Sequence, residues 1–265
     1  MLNTIIHGTA TGKPALLIAH GLFGSARNWG AIAKRLSSDR RVIAVDMRNH
    51  GQSLHDADHS YAALAGDLAE VIETQAGGRA DLLGHSMGGK AAMVLALSHP
   101  GTLRSLTVAD IAPVAYSHTQ QPYIDVMQSL DLTAIETRSQ ARDALAAQVD
   151  DPALAAFFTQ SLDLREKRWL LGLDALSANM AHILGFPEMG DARFDGPALF
   201  LSGTESDYVQ RAHRERIKAL FPAARFASIP GAGHWLHAEK PREFEAAMRA
   251  WLTAQDEGSS GGAQK

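Results

Sequence analysis

Short, continuously apolar runs recur along the chain at Ala15 to His20, Arg41 to Asp46, Ala80 to Gly84, Leu103 to Ala109, Pro197 to Ser202 and Ala224 to Ile229, separated by stretches of helical periodicity. A strand that is apolar on both faces has to be covered on both, which is the situation of parallel strands joined by crossover helices. The alternation therefore predicts an α/β fold, a mostly parallel sheet flanked by helices. Leu2 to His7 is expected as an exposed edge strand. Helices are expected near Ser25 to Leu36, Ser60 to Gln75, Met87 to Ser98, Tyr208 to Leu220 and Pro241 to Ala254, with Ser60 as an N-cap and Pro241 at a first helical position.

The rhythm breaks once. Between Ala112 and Asp195 no strand is expected and helical segments such as Asp163 to Leu184 follow one another. Residues 112–195 therefore read as a helical cap inserted after the strand ending near Ala109, over the carboxyl ends of the strands, where open α/β sheets bind ligands. The core then comprises residues 1–111 and 196–256, and residues 257–265, small and polar, are expected to form a flexible tail. With 265 residues and 46% apolar content the chain can bury a full-sized core, which excludes disorder as its main state. A net charge of −4 without a Lys/Arg run lacks the electrostatic footprint of a nucleic-acid or anionic-membrane binder, so a small-molecule partner is expected. Nothing in the sequence specifies an oligomeric state. No apolar run approaches the ~20 residues that span a bilayer, and the N-terminus has no basic-then-apolar leader, so a soluble, cytoplasmic protein is expected. Without cysteine, a thiolate nucleophile, a disulfide and Cys-ligated zinc are all excluded.

Gly84-His85-Ser86-Met87-Gly88 directly follows the third of the apolar runs and opens an alanine-rich helical stretch. G-x-S-x-G at a strand-to-helix turn pushes a serine hydroxyl out of the sheet on a turn too tight for side chains at the glycine positions, which makes Ser86 the candidate nucleophile. The helix starting at Met87 aims unpaired N–H groups at the same point, so the Met87 amide is a candidate oxyanion donor. His20-Gly21-Leu22-Phe23-Gly24, past the first long run, offers a second in Leu22. A serine hydroxyl needs a base. Of the twelve histidines, His234 in Gly231-Ala232-Gly233-His234-Trp235 follows the last strand and is the expected base. His237 is expected as a helix-entry or core residue, and His85 as a packing or orienting group. Phe23 and Trp235 are expected to contact substrate, and Phe157, Phe158 and Trp169 are candidate linings of an acyl pocket. His50, His55 and His59 crowd together with Asp56 and Asp58, but loop spacings of five and four do not fix a tetrahedral site. No metal is expected there. The stretch reads as a solvated loop in which Arg48 pairs with a nearby carboxylate.

HGLFGS at 20–25, DMRNHGQS at 46–53, GHSMGGKA at 84–91, DIAPV at 110–114 and AGHWLHAEKP at 232–241 resemble the α/β-hydrolase superfamily, specifically its small YbfF-like esterase branch. The resemblance covers nearly the whole expected core. It implies the α/β-hydrolase fold and hydrolysis of acyl esters or acyl thioesters of small to medium acyl groups, without a cofactor, through an acyl-serine intermediate. The alternatives are other chemistry on the same triad, such as perhydrolysis or carbon–carbon bond hydrolysis, and a weakly catalytic ligand-binding receptor. The acid departs from the superfamily's commonest pattern, G-x-x-D-x-x-V after the next-to-last strand. Both Gly203 counted forward and Val209 counted back land on Ser206, and Asp207 is one place off. Asp110 directly follows Leu103 to Ala109, and ends of adjacent parallel strands lie only ~4.8 Å apart, within reach of the same histidine. The resemblance points to it as well, through D-I-A-P-V. Asp110 is the expected acid, Asp207 the alternative, and an arrangement involving Ser206 the third option.

Overall fold

A computed structural model describes residues 1–149 and 151–260. The main sheet begins with β1 (Thr4–His7), β2 (Leu16–Ala19), β3 (Val42–Val45), β4 (Ala80–His85) and β5 (Leu103–Ala109), with α1 (Gly30–Leu36), α2 (Tyr61–Gln75) and α3 (Met87–Ser98) among them. A long excursion follows: α4 (Gln121–Ser129), α5 (Arg138–Ala146), α6 (Pro152–Phe158), a small hairpin of β6 (Leu162–Asp163) and β7 (Arg168–Trp169), then α7 (Leu173–Ala178) and α8 (Met180–Leu184). The sheet resumes with β8 (Ala198–Gly203) and β9 (Ala224–Ile229), and α9 (Arg214–Leu220), α10 (Leu236–Glu239) and α11 (Pro241–Ser260) complete the chain. Strand order is β1-β3-β2-β4-β5-β8-β9, parallel throughout except that β1 runs antiparallel to β3. This is the α/β-hydrolase architecture anticipated from the motifs.

Successive strand residues face opposite sides of a sheet. Leu17, Ala19, Ile43, Val45 and Leu82 accordingly pack on the side of α2 and α3, whereas Leu16, Ile18, Val42, Ala44 and Leu83 pack on the side of α1 and α11. Both sets are apolar because both sides are covered. Every residue of α3 from Met87 to Leu97 is buried, and its alanines and glycines let it press against β4 and β5 while α2 covers it. At the opposite end of the strands from Ser86, a buried ion cluster closes the sheet. Asp81 of β4 receives Arg104 of β5 (Nε to Oδ1 2.9 Å) and Arg40 (Nη1 to Oδ2 3.3 Å), and both arginines also reach Asp256 of α11 at 2.7 Å.

Several elements differ from their sequence reading. Asp163 to Leu184 is not continuous helix: the Asp163 side chain accepts from the Arg165 and Glu166 amides, a turn that folds β7 back on β6. β9 is an edge strand, with only Ala224 and Ile229 buried, so it is not doubly covered. The helix expected from Tyr208 begins at Arg214, after a single tight turn, because residues 206–208 belong to a loop beside Asp110 and His234. α11 continues through Ser260, so residues 257–260 of the expected tail are helical; residues 261–265 lie outside the described residues. Ile5 and Ile6 of β1 are exposed, as an edge strand implies. Among the described residues no helix is long and apolar enough to cross a membrane.

Candidate active site

β4 ends at His85 and α3 begins at Met87, so Ser86 alone makes the turn, with φ +53° and ψ −121°. That left-handed conformation costs a residue with a side chain about 1–3 kcal/mol and survives only where the surroundings enforce it. The glycines do so by letting strand and helix close on each other. A Cβ on Gly84 would stand 2.3 Å from the Gly88 carbonyl oxygen, and one on Gly88 would stand 2.5 Å from those of Ala19 and His20. Ser86 is left half-buried at the carboxyl end of the central strand.

The His234 Nε2 lies 3.1 Å from Ser86 Oγ, and its Nδ1 lies 2.8 Å from Asp110 Oδ2. An ionised carboxylate can only accept, so Nδ1 carries the proton and Nε2 faces the serine hydroxyl as acceptor. Asp110 is completely buried just past β5. Its Oδ1 accepts from the Gly203 amide at 3.1 Å, and its Oδ2 also accepts from the Ser206 hydroxyl. At the commoner acid position, then, stands a hydroxyl that donates to Asp110. Asp207 is exposed and takes no part in these bonds. The Tyr208 ring stacks on the His234 imidazole at 3.8 Å between centroids and 17° between planes. His85 donates from Nε2 to the His234 carbonyl at 2.9 Å, and burial, together with nearby His237 and His234, pushes its pKa well below the ordinary histidine value. It orients the His234 loop in its neutral form. His237 stacks on Trp29 at 4.1 Å, and burial beside His234 pushes it down to about 3.

Two buried histidines that sequence reasoning did not place here shape the loop over Ser86. His20 accepts from the Met47 amide at Nε2 (2.9 Å) and donates from Nδ1 to the Gly21 carbonyl (2.8 Å). His50 accepts from the Phe23 amide at Nε2 (3.1 Å) and donates from Nδ1 to the Arg48 carbonyl (2.9 Å). The Phe23 amide is thus committed, and a Cβ added to Gly21 would sit 3.1 Å from Ser86 Cβ, so the turn at Gly21 and Leu22 lies against the nucleophile. The Met87 amide, first in α3, has no partner within its helix. The sequence signal was the repeated His-Gly pair, at 20–21 and 50–51. The reading of a solvated loop holds for His55, Asp56 and Asp58, which are exposed, but not for His50 and His59, which are 0% and 1% exposed; burial pushes His59 down to about 4 and His50 well below its ordinary value. Arg48 does pair with a carboxylate, gripping Asp67 at 2.6 and 2.9 Å. Among the described residues no group of three His, Asp or Glu is arranged to hold a metal ion.

A cleft of about 260 Å³ opens over Ser86, with Phe23, Trp235 and Phe157 on its walls. Phe158 packs behind it, edge-on to Phe23 at 5.3 Å. Trp169 lies on a separate depression with its indole N–H on the Met127 carbonyl, so it is no part of the cleft wall. The profile described as "Alpha/beta hydrolase family" matches residues 16–247, most of the chain and all of these residues. The chain belongs to the α/β hydrolase family. Among relatives of this α/β hydrolase, the mouse (Mus musculus) "sn-1-specific diacylglycerol lipase ABHD11" is 38% identical over 258 residues, spanning 94% of this chain and 83% of the relative. "Esterase YbfF" of Escherichia coli (strain K12) is 36% identical over 238 residues, spanning 89% and 92%. A solved structure titled "Marine microorganism esterase" superposes with a TM-score of 0.89 at 36% identity, covering 94% of this chain and 98% of that one.

Proposed function

We propose that this α/β hydrolase cleaves acyl esters or acyl thioesters of small to medium acyl groups through an acyl-serine intermediate, with Ser86, His234 and Asp110 as its triad. The observation that carries the reading is the unbroken line of hydrogen bonds from the Ser86 hydroxyl through His234 to buried Asp110, at the floor of a cleft. The relatives named esterase and lipase support the same bond class. His234 Nε2 takes the Ser86 proton as Oγ attacks the acyl carbonyl, and the amides of Leu22 and Met87 receive the developing oxyanion. On collapse, His234 returns the proton to the departing alcohol or thiol. A water then gives a proton to His234 and attacks the acyl-serine, releasing the acid and restoring the hydroxyl. Asp110 holds the imidazole tautomer and balances the imidazolium that forms in each half. Phe23 and Trp235 are read as substrate contacts, and residues 112–195 as a cap that closes the acyl side of the cleft. The cleft's volume, about 260 Å³ and so just below the ~300–1,000 Å³ of small-molecule pockets, favours small to medium acyl groups.

The test is labelling with a fluorophosphonate together with turnover of p-nitrophenyl esters. Ser86→Ala is expected to abolish labelling and to lower kcat by about 10⁶ while leaving the fold intact, since the hydroxyl is small and faces the cleft. Turnover by pure Ser86→Ala above about one per cent of wild type would remove Ser86 from the mechanism.

A further inference from the structure

Lys90 takes no part in the acyl transfer described above, yet it is among the largest fully buried side chains, 1% exposed. It stands one helical turn beyond Ser86, its amide donating to the Ser86 carbonyl at 3.0 Å. Its ammonium reaches across the cleft floor to the end of α8, where it donates to the carbonyls of Gly185 at 2.6 Å, Leu184 at 2.8 Å and, at longer range, Ile183 at 3.4 Å. Carbonyls at a helix C-terminus are unpaired within the helix and attract a cation. The Ile183 carbonyl is also held by the Tyr61 hydroxyl of α2 at 2.7 Å. The ammonium lies 4.8 Å from the ring centre of Tyr116 and 5.9 Å from that of Tyr61, and among the described residues no carboxylate pairs with it. Burying an unpaired cation is expensive, so an apolar side chain of similar volume would suit the core better if packing were all that mattered. Ile183 and Leu184, whose backbone it holds, are cleft-lining residues.

We propose that Lys90 is a specificity-determining positioning residue, whose ammonium pins residues 183–185 to the nucleophile helix and thereby sets the depth of the acyl cleft beside Ser86. The proposal rests on the reading of this cleft as an acyl site. Pin and nucleophile share one helical turn, so a single side chain sets how far the α8 wall stands from the attacking oxygen. The pin also weakens with pH, because burial pushes Lys90 down to about 7 and a neutral amine has one donor fewer and no charge. The titratable groups facing it are Tyr61 from α2, and Tyr116 and His118 from the segment after β5. Burial raises both phenols and lowers His118, so Lys90 is the group of this set that changes charge between about pH 6.5 and about pH 8.5.

The experiment measures kcat/KM for p-nitrophenyl octanoate and p-nitrophenyl acetate and takes their ratio, which cancels the titration of the base common to both. In Lys90→Met the octanoate-to-acetate ratio is expected to rise about three- to tenfold, the size of one or two methylene contacts, carried by KM rather than kcat. In wild type the same ratio is expected to climb from pH 6.5 to pH 8.5, and in Lys90→Met to stay flat. A Lys90→Met ratio within twofold of wild type overturns the proposal. Should that variant fail to fold, a wild-type ratio that is flat with pH overturns it instead. Turnover of neither ester, with no fluorophosphonate labelling of Ser86, overturns the acyl-site reading itself and the pin with it; turnover of both with an invariant ratio sinks the pin alone.

Discussion

Asp110 meets His234 from the end of β5, whereas the commoner acid position, after β8, is held by the hydroxyl of Ser206. Asp110→Asn is therefore expected to cost about 10⁴ in kcat, because a neutral amide neither fixes the imidazole tautomer nor balances the imidazolium. Asp207→Asn, an exposed change, should cost less than tenfold. Steady-state kinetics on one p-nitrophenyl ester decides, and the reverse ranking would return the acid to the commoner position. Ser86 and His234 were legible in the sequence because each sits in a turn whose glycines are written beside it. Asp110 was legible through its place directly after the Leu103 to Ala109 run, through a departure, the serine where a carboxylate was due, and through the family resemblance. Beyond the repeated His-Gly pair, the roles of His20 and His50 left no local trace, and that of Tyr208 left none. Each depends on a partner at least 20 residues away, as in the bond from Met47 to His20 or the stack of Tyr208 on His234.

Elements that span the sheet read well, since an apolar run covered on both faces has few other places to go. Those between β5 and β8 read poorly, because turn chemistry at Asp163 outweighed helical periodicity and short helices carry little of it. α11 ran past its expected end for a reason visible only in three dimensions: its Asp256 is fastened to Arg40 and Arg104. That cluster makes a prediction for the elements it joins. Asp81→Ala leaves two buried guanidiniums short of a partner and should destabilise the fold by about 3–5 kcal/mol in urea unfolding, with kcat/KM of the folded fraction near wild type because the cluster lies at the opposite end of the strands from Ser86. A variant that unfolds at the wild-type urea concentration would show that Asp256 alone suffices to hold the two arginines.

Across the whole molecule, burial holds the pKa values of His20, His50, His59, His85 and His237 below the ordinary histidine value. Unfolding returns them to about 6.5, so the unfolded chain binds more protons than the folded one below that pH. Their contribution is complete above about pH 6.5 and shrinks as pH falls, down to about 4 for His59 and about 3 for His237, at up to ~1.4 kcal/mol per pH unit for each. Against a net stability of about 5–15 kcal/mol, acid unfolding is expected with a midpoint above pH 4, before most carboxylates protonate. Circular dichroism through a pH titration checks this, and a native signal persisting below pH 4 would contradict it. The sheet topology carries a last consequence. The chain leaves β5 and re-enters at β8, and these two strands are hydrogen-bonded neighbours, with Leu106 opposite Ala198. Because the two strands run parallel, the chain departs at the carboxyl end of the sheet and must cross to the amino end before it returns, so a foreign stretch could be exchanged in the manner of a cassette only if its last segment made the same crossing, and only then would the neighbouring strands keep their register.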